Sequence, residues 1–173
     1  LGMEPDRKRV TDAAVDTARK SAGTQYVTLV ADVYGKGVRP KDDAEAMAQV
    51  KQMYADRSVL RARANKALDV LKAQSGKAPL DVSRLGAIGF CFGGSTVLEL
   101  ARSGANLAGV VTFHGGLATS MPAKPGAVKA SLLVLNGADD INTTAQDIAG
   151  LHKEMDAATV EWHFVNLSGA FHC

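Results

Sequence analysis

The residue best placed to do chemistry in this chain is Cys91, at the apex of Gly89-Phe90-Cys91-Phe92-Gly93-Gly94. A short apolar run (Leu85, Ala87, Ile88) leads in, and Val97, Leu98, Leu100 and Ala101 leave at helical spacing, so a strand, a very tight turn and a helix meet there. Gly89 and Gly93 stand two residues to either side, where a larger side chain would collide as the backbone reverses. Such a turn pushes the thiol outward. The N–H of Phe92 and the positive end of the following helix then point at whatever Cys91 attacks, and both favour a thiolate and a developing oxyanion. A nucleophile of this kind needs a base beside it and a group to orient that base. The bland alternative is a buried structural cysteine before a glycine-rich turn.

The elements that must position such a site can be read in order. Leu1 to Ala22 has the pattern of a helix entered through Pro5 and ended by Gly23, with Val10, Ala13, Ala14 and Ala18 on one face. Tyr26 to Val33 reads as a strand buried on both faces, and Asp32 at its end as the tie for the loop Tyr34-Gly35-Lys36-Gly37. Asp42 to Ala73 is one long amphipathic helix or two joined ones, with Ala46, Val50, Met53, Leu60, Ala64, Leu68 and Leu71 facing inward. Leu107 to Phe113 and Ala130 to Asn136 are further buried strands. A helix over 145–157 follows, capped by Thr144 or a neighbour, with Ile148, Leu151 and Met155 inward. Val160, Trp162 and Phe164 alternate with Glu161 and His163, the pattern of a strand nearer the sheet edge. Strands alternating with helices predict an α/β domain built on a mainly parallel sheet with helices on both faces.

Composition narrows the partners. The 173 residues carry 20 basic and 18 acidic side chains, a net charge of +2, spread without a stripe that would suit nucleic acid or a membrane surface. There is no run of about 18 apolar residues. The 2 cysteines, Cys91 and Cys173, are too few for a disulfide scaffold, and an unpaired reactive thiol fits a reducing compartment. The reading is a single domain in the cytoplasm, a monomer or small homo-oligomer acting on a small molecule. A targeting segment ahead of Leu1 stays open, since the chain does not begin with methionine.

On these residues the chain resembles the dienelactone hydrolase family. Its G-x-C-x-G-G turn is similar to the nucleophile elbow of those α/β-hydrolases, which use cysteine where most relatives use serine. Ala31-Asp32-Val33-Tyr34-Gly35-Lys36-Gly37 resembles the family's strand end and loop. The resemblance implies further roles. Gly137-Ala138-Asp139-Asp140 is similar to the segment carrying the triad acid, which points to Asp140 with Asp139 in reserve. Gly169-Ala170-Phe171-His172 is similar to the signature of the catalytic base, which points to His172. The chain order Cys91, Asp140, His172 matches nucleophile, acid, base. Phe92 would supply an oxyanion N–H, and His114 in His114-Gly115-Gly116 would line the substrate pocket. Members with acidic substrates hold a carboxylate with arginine, which makes Arg57, Arg61 and Arg63 candidates and Arg61 the choice. Against that, most arginines on such a helix are simply solvated. Neither a metal nor an organic cofactor is needed for this chemistry.

The sequence departs from the family in three places. Ile141-Asn142-Thr143-Thr144 is short for the stretch after the acid, a trimmed loop or a gap. The family's first strands, with its regulatory glutamate and second oxyanion donor, are expected to lie outside these 173 residues. So is its closing helix. His152 on its helix and His163 on its strand are expected to be solvated. Two other readings stand beside the ester or enol-lactone hydrolase: a non-catalytic ligand-binding scaffold of the same fold, and a thiol-redox protein pairing Cys91 with Cys173.

Overall fold

Short apolar runs bounded by glycine and polar turns each become one strand of a parallel sheet. In the computed structural model, which describes residues 2, 3 and 11 to 172, the strands are β1 (Gly2–Met3), β2 (Gly86–Phe90), β3 (Gly109–Phe113), β4 (Ser131–Gly137) and β5 (Trp162–Leu167). They lie in the order β1-β2-β3-β4-β5, each parallel to its neighbours. The helices are α1 (Asp12–Ala22), α2 (Asp43–Ala55), α3 (Arg57–Lys72), α4 (Phe92–Arg102) and α5 (Ala145–Ala157). This is the α/β architecture that the alternation of patterns predicts, and its strands have their C-terminal ends on one side, where loops collect a site.

The centre of the sheet is dry. Val110, Leu132 and Val134 are buried with Val97, Leu98 and Leu100 of α4 and Leu60 of α3, and α4 has no exposed residue along its length. On the opposite face, Ile88, Phe90 and Val111 line a cavity of about 740 Å³ whose far wall includes Ala14, Thr17 and Ala18 of α1. Strand residues alternate between faces, so α1 and α4 lie on opposite sides of the sheet. Among the described residues, no helix is long and apolar enough to cross a membrane.

The helical stretch from Asp42 resolves as two helices. Asp56 breaks it and caps α3, accepting from the N–H groups of Ser58 and Val59. Thr144 caps α5 through a reciprocal capping box with Asp147, and Thr11 caps α1. The expected entry of the first helix through Pro5 falls outside the described residues. One strand expectation fails. Residues 26–33 form no strand, only a single bridge at Val30, and Tyr26 is 71% exposed. Tyr26, Val27, Thr28 and Val30 line the cavity together with Gly86, Ala87 and Ile88. An apolar run becomes a strand only where a neighbour takes its N–H and C=O groups. Asp32 does tie its loop: it accepts from the N–H groups of Tyr34 and Gly35 and from Arg39 at 2.8 Å.

Candidate active site

The turn between β2 and α4 is set by close backbone approach. A Cβ on Gly89 would stand 2.2 Å from the Gly93 carbonyl oxygen, nearer than any side chain can be accommodated, so only glycine lets the chain reverse here. The result is a strained Cys91 with φ 48°, in the left-handed region that non-glycine residues rarely occupy. Its N–H donates to Phe113 O at 3.0 Å, bracing the apex against the end of β3. Gly94 and Gly115 bring α4 onto the same strand end: a Cβ on either would meet Thr112 Oγ1 at 2.5 or 2.6 Å. Phe92 opens α4, stacks on Tyr34 with centroids 5.6 Å apart and meets Tyr54 at a tilt with centroids 5.7 Å apart. Its N–H is among the first-turn amides that a helix leaves without an internal acceptor.

The other two residues arrive from β4 and β5. The turn after β4 and the loop after β5 are tied to each other, with Ala138 N–H donating to Leu167 O at 2.9 Å and Asp139 N–H to Ala170 O at 3.0 Å. Gly137 makes that contact close enough, since a Cβ there would lie 2.5 Å from Ala170 O. His172 Nε2 thereby comes to 3.2 Å from Cys91 Sγ, and His172 Nδ1 to 2.8 Å from Asp140 Oδ2. The Asp140 side chain is fully buried and that of His172 is 18% exposed, whereas Asp139 is exposed. Burial pushes the Asp140 carboxyl up, but the hydrogen bonds from His172 and from Asn142 outweigh it and hold the group below the ordinary aspartate value. It is therefore an ionised acceptor in a dry setting, able to fix the tautomer and orientation of the imidazole.

His114 completes the cluster. It has φ 38°, its N–H donates to Leu135 O at 2.8 Å, and its ring meets that of His172 edge-on with centroids 4.8 Å apart. Burial, and then the charge of His172, press the His114 pKa below its usual value. The three arginines are neither solvated nor gathered at the thiol. Arg61 donates through Nε to Glu99 at 2.8 Å and through Nη2 to Met121 O. Arg63 holds Val33 O and Tyr34 O. Arg57 is buried, lies over the Tyr54 ring at 3.9 Å and donates to Ala118 O. Two faces of the Arg61 guanidinium thus meet buried Glu99 and a backbone carbonyl. His163 is exposed as expected. His152 is not solvated but packed, stacked on Trp162 at 4.5 Å and edge-on to Phe164 at 5.1 Å. Cys173 lies outside the described residues.

Three features escaped the sequence reading. Asn142 donates from its backbone at 2.8 Å and from its side chain at 3.1 Å to Asp140 Oδ1; the Asp-x-Asn spacing of an Asx turn was the available signal. The short Ile141 to Thr144 stretch is thus a closed turn that serves the carboxylate. Tyr54 Oη and Ser95 Oγ lie 2.7 Å apart beside the first turn of α4. Burial raises the Tyr54 pKa, which keeps the phenol neutral. Finally, fully buried Glu99 joins Arg61 of α3 and Arg102 of α4, and Arg102 continues to Glu154 of α5, a chain of charges that fixes the helix after Cys91 to its neighbours.

A parallel sheet carrying a strained cysteine at an elbow between strand and helix, with a carboxylate and an imidazole delivered from later strand ends, has the form of an α/β-hydrolase. The model of the dienelactone hydrolase family matches residues 7–173, and this chain belongs to that family. It is similar to a dienelactone hydrolase-like promiscuous phosphotriesterase from metagenomic libraries, with 36% identity and a TM-score of 0.86 over 99% of this chain and 70% of that one. A structure named m3DLH shares 38% identity at a TM-score of 0.89 with the same coverage. An α/β hydrolase from a Medee basin deep-sea metagenome library, at 16% identity and a TM-score of 0.68 over 99% of this chain and 69% of that one, shares the fold. No curated protein matches. Family and neighbours together make this chain a hydrolase.

Proposed function

We propose that the chain hydrolyses carboxylic esters or enol lactones through Cys91, His172 and Asp140. The observation that carries the reading is the relay itself: Cys91 Sγ to His172 Nε2 at 3.2 Å, and His172 Nδ1 to Asp140 Oδ2 at 2.8 Å. His172 Nε2 takes the thiol proton as Cys91 Sγ bonds to the carbonyl carbon, and the oxyanion so formed accepts from the Phe92 N–H. As the carbonyl re-forms, the C–O bond to the leaving alkoxide breaks and His172 returns the proton to it, leaving an acyl-thioester on Cys91. His172 then takes a proton from water, the hydroxide adds to the thioester, and the thiolate departs and recovers its proton. Asp140, ionised and held by Asn142, stabilises the imidazolium that appears twice in this cycle without taking its proton. His114 walls the acyl site from the side of its ring contact with His172. Arg61, held by Glu99 through Nε, has no part in the covalent steps and is kept as the candidate for a substrate carboxylate.

A thiolate expels a good leaving group readily, so activated esters and enol lactones suit this site better than amides. The phosphotriesterase relative, 36% identical, motivates one further substrate to try, an aryl phosphotriester attacked at phosphorus by the same thiolate. The test is turnover of p-nitrophenyl acetate. Cys91→Ala is expected to abolish it and His172→Ala to reduce kcat by orders of magnitude, as loss of a triad base does. Substantial hydrolysis by Cys91→Ala would remove the nucleophile from the account, and absence of turnover in the parent chain would favour a ligand-binding role for the fold.

A further inference from the structure

We propose that Cys91, His114 and His172 form a binding site for a soft divalent cation, with Zn²⁺ as its occupant, and that loading this site withdraws the nucleophile and base from turnover. The one nitrogen or sulfur atom that each residue offers lies within 4.8 Å of the other two. Tetrahedral zinc, with Zn–S of about 2.3 Å and Zn–N of about 2.0–2.1 Å, separates sulfur from nitrogen by about 3.6 Å and nitrogen from nitrogen by about 3.4 Å. The 3.2 Å between Cys91 Sγ and His172 Nε2 therefore has to open by only about 0.4 Å, and the widest spacing to close by about 1.4 Å or less. Side-chain rotation covers both.

Two other features belong to a metal site. Asp140 on His172 Nδ1 at 2.8 Å leaves Nε2 as the coordinating atom, the carboxylate-histidine arrangement that orients zinc ligands and raises their basicity. The three backbones are also braced to one another: Cys91 N–H donates to Phe113 O, His114 N–H to Leu135 O, and Asp139 N–H after β4 to Ala170 O in the His172 loop, so the ligands sit on the joined ends of β2, β3 and β4 or on the loop tied to them. One thiolate and two imidazoles select Zn²⁺ over Mg²⁺ or Ca²⁺, and a three-ligand set leaves a fourth position for water. Binding is balanced by release of the thiol proton to solvent, so affinity rises with pH. The cation site stands on this geometry alone; only its inhibitory consequence rests on the hydrolase reading.

The experiment uses chelator-treated whole protein with Co²⁺ as spectroscopic probe and Zn²⁺ as competitor. The expected result is one Co²⁺ per chain with a thiolate charge-transfer band, displaced by Zn²⁺, and loss of affinity of about tenfold or more in Cys91→Ala and in His114→Gln. Binding unaffected by Cys91→Ala overturns the site, and so does binding that needs Cys91 but not His114. On the unmutated chain, saturating Zn²⁺ must also slow alkylation of Cys91 by iodoacetamide, and undiminished labelling overturns the site without recourse to any variant. Hydrolysis of p-nitrophenyl acetate should fall with the same Zn²⁺ dependence and return with chelator. Full turnover with the metal bound overturns the inhibitory half. A chain that lacks turnover when metal-free, yet gives the cobalt band once Co²⁺ is added, would strike the nucleophile assignment and leave the site standing.

Discussion

Gly89→Ala is a one-carbon change that asks whether the turn itself poises the thiol. The added Cβ would stand 2.2 Å from Gly93 O, 2.4 Å from Gly93 C and 2.7 Å from Gly94 N. Carbon contacts are comfortable from about 3.5 Å, and the atoms in the way are backbone, so the first turn of α4 has to withdraw by about 1 Å. Phe92 precedes Gly93 directly, and its N–H moves with that turn away from the oxyanion position. A displacement of this size, or loss of one oxyanion donor, costs about 10²- to 10³-fold in kcat. Overpacking of this kind costs about 1–3 kcal/mol, or a fall in Tm of about 2–12 °C at about 2–4 °C per kcal/mol. Steady-state hydrolysis of p-nitrophenyl acetate gives kcat and KM, and thermal unfolding gives the stability. The control is Gly150→Ala in α5, where a Cβ meets nothing within 4 Å; it should leave kcat alone and gain about 0.5–1 kcal/mol. If Gly89→Ala keeps kcat within about threefold of the parent, the argument from the turn is refuted.

Gly137→Ala presses a Cβ to 2.5 Å from Ala170 O, so it should displace the loop holding His172 and lower kcat by about 10²-fold while the chain stays folded; circular dichroism beside kinetics checks both halves. Glu99→Gln leaves Arg61 and Arg102 facing a neutral group in a fully buried position, and breaking such a pair costs about 3–5 kcal/mol, readable as a fall in urea midpoint. For His114, a folded pKa below the usual value means that the native state binds fewer protons than the unfolded chain. Stability should therefore decline as pH drops below about 6.5, the unperturbed histidine value. His114→Gln should flatten that decline, and an unchanged slope of stability against pH in the variant would contradict the burial argument.

How much of this was legible depended on how far apart the interacting residues lie in the chain. The elbow was readable because its geometry is local: glycine at fixed offsets from Cys91, a strand pattern before it and a helix pattern after it. The cap at Thr144 is local in the same way, and so are the boundaries of β3, β4 and α5 to within two residues. Residues 26–33 read as a strand because the apolar run is genuine, but a strand also needs a ladder partner, which no local pattern reports. The partners of the α3 arginines were out of reach for a similar reason. Arg61 finds its carboxylate 38 positions away in Glu99, and Arg63 its carbonyls in the loop before α2. His152 looked solvated on its own helix because its two aromatic neighbours come from the next strand. The meeting of Cys91 with His172, across 81 positions, was reached through the family resemblance rather than any pattern within the chain.

The account stands on covalent chemistry at one sulfur. Rapid quenching of the full chain with p-nitrophenyl acetate, followed by peptide mass spectrometry, should find an acetyl group on the peptide containing Cys91, formed in a burst and persisting longer in Asp140→Asn, where deacylation is slowed. Steady hydrolysis with no acyl group on Cys91, or with the acyl group on a different residue, would contradict it.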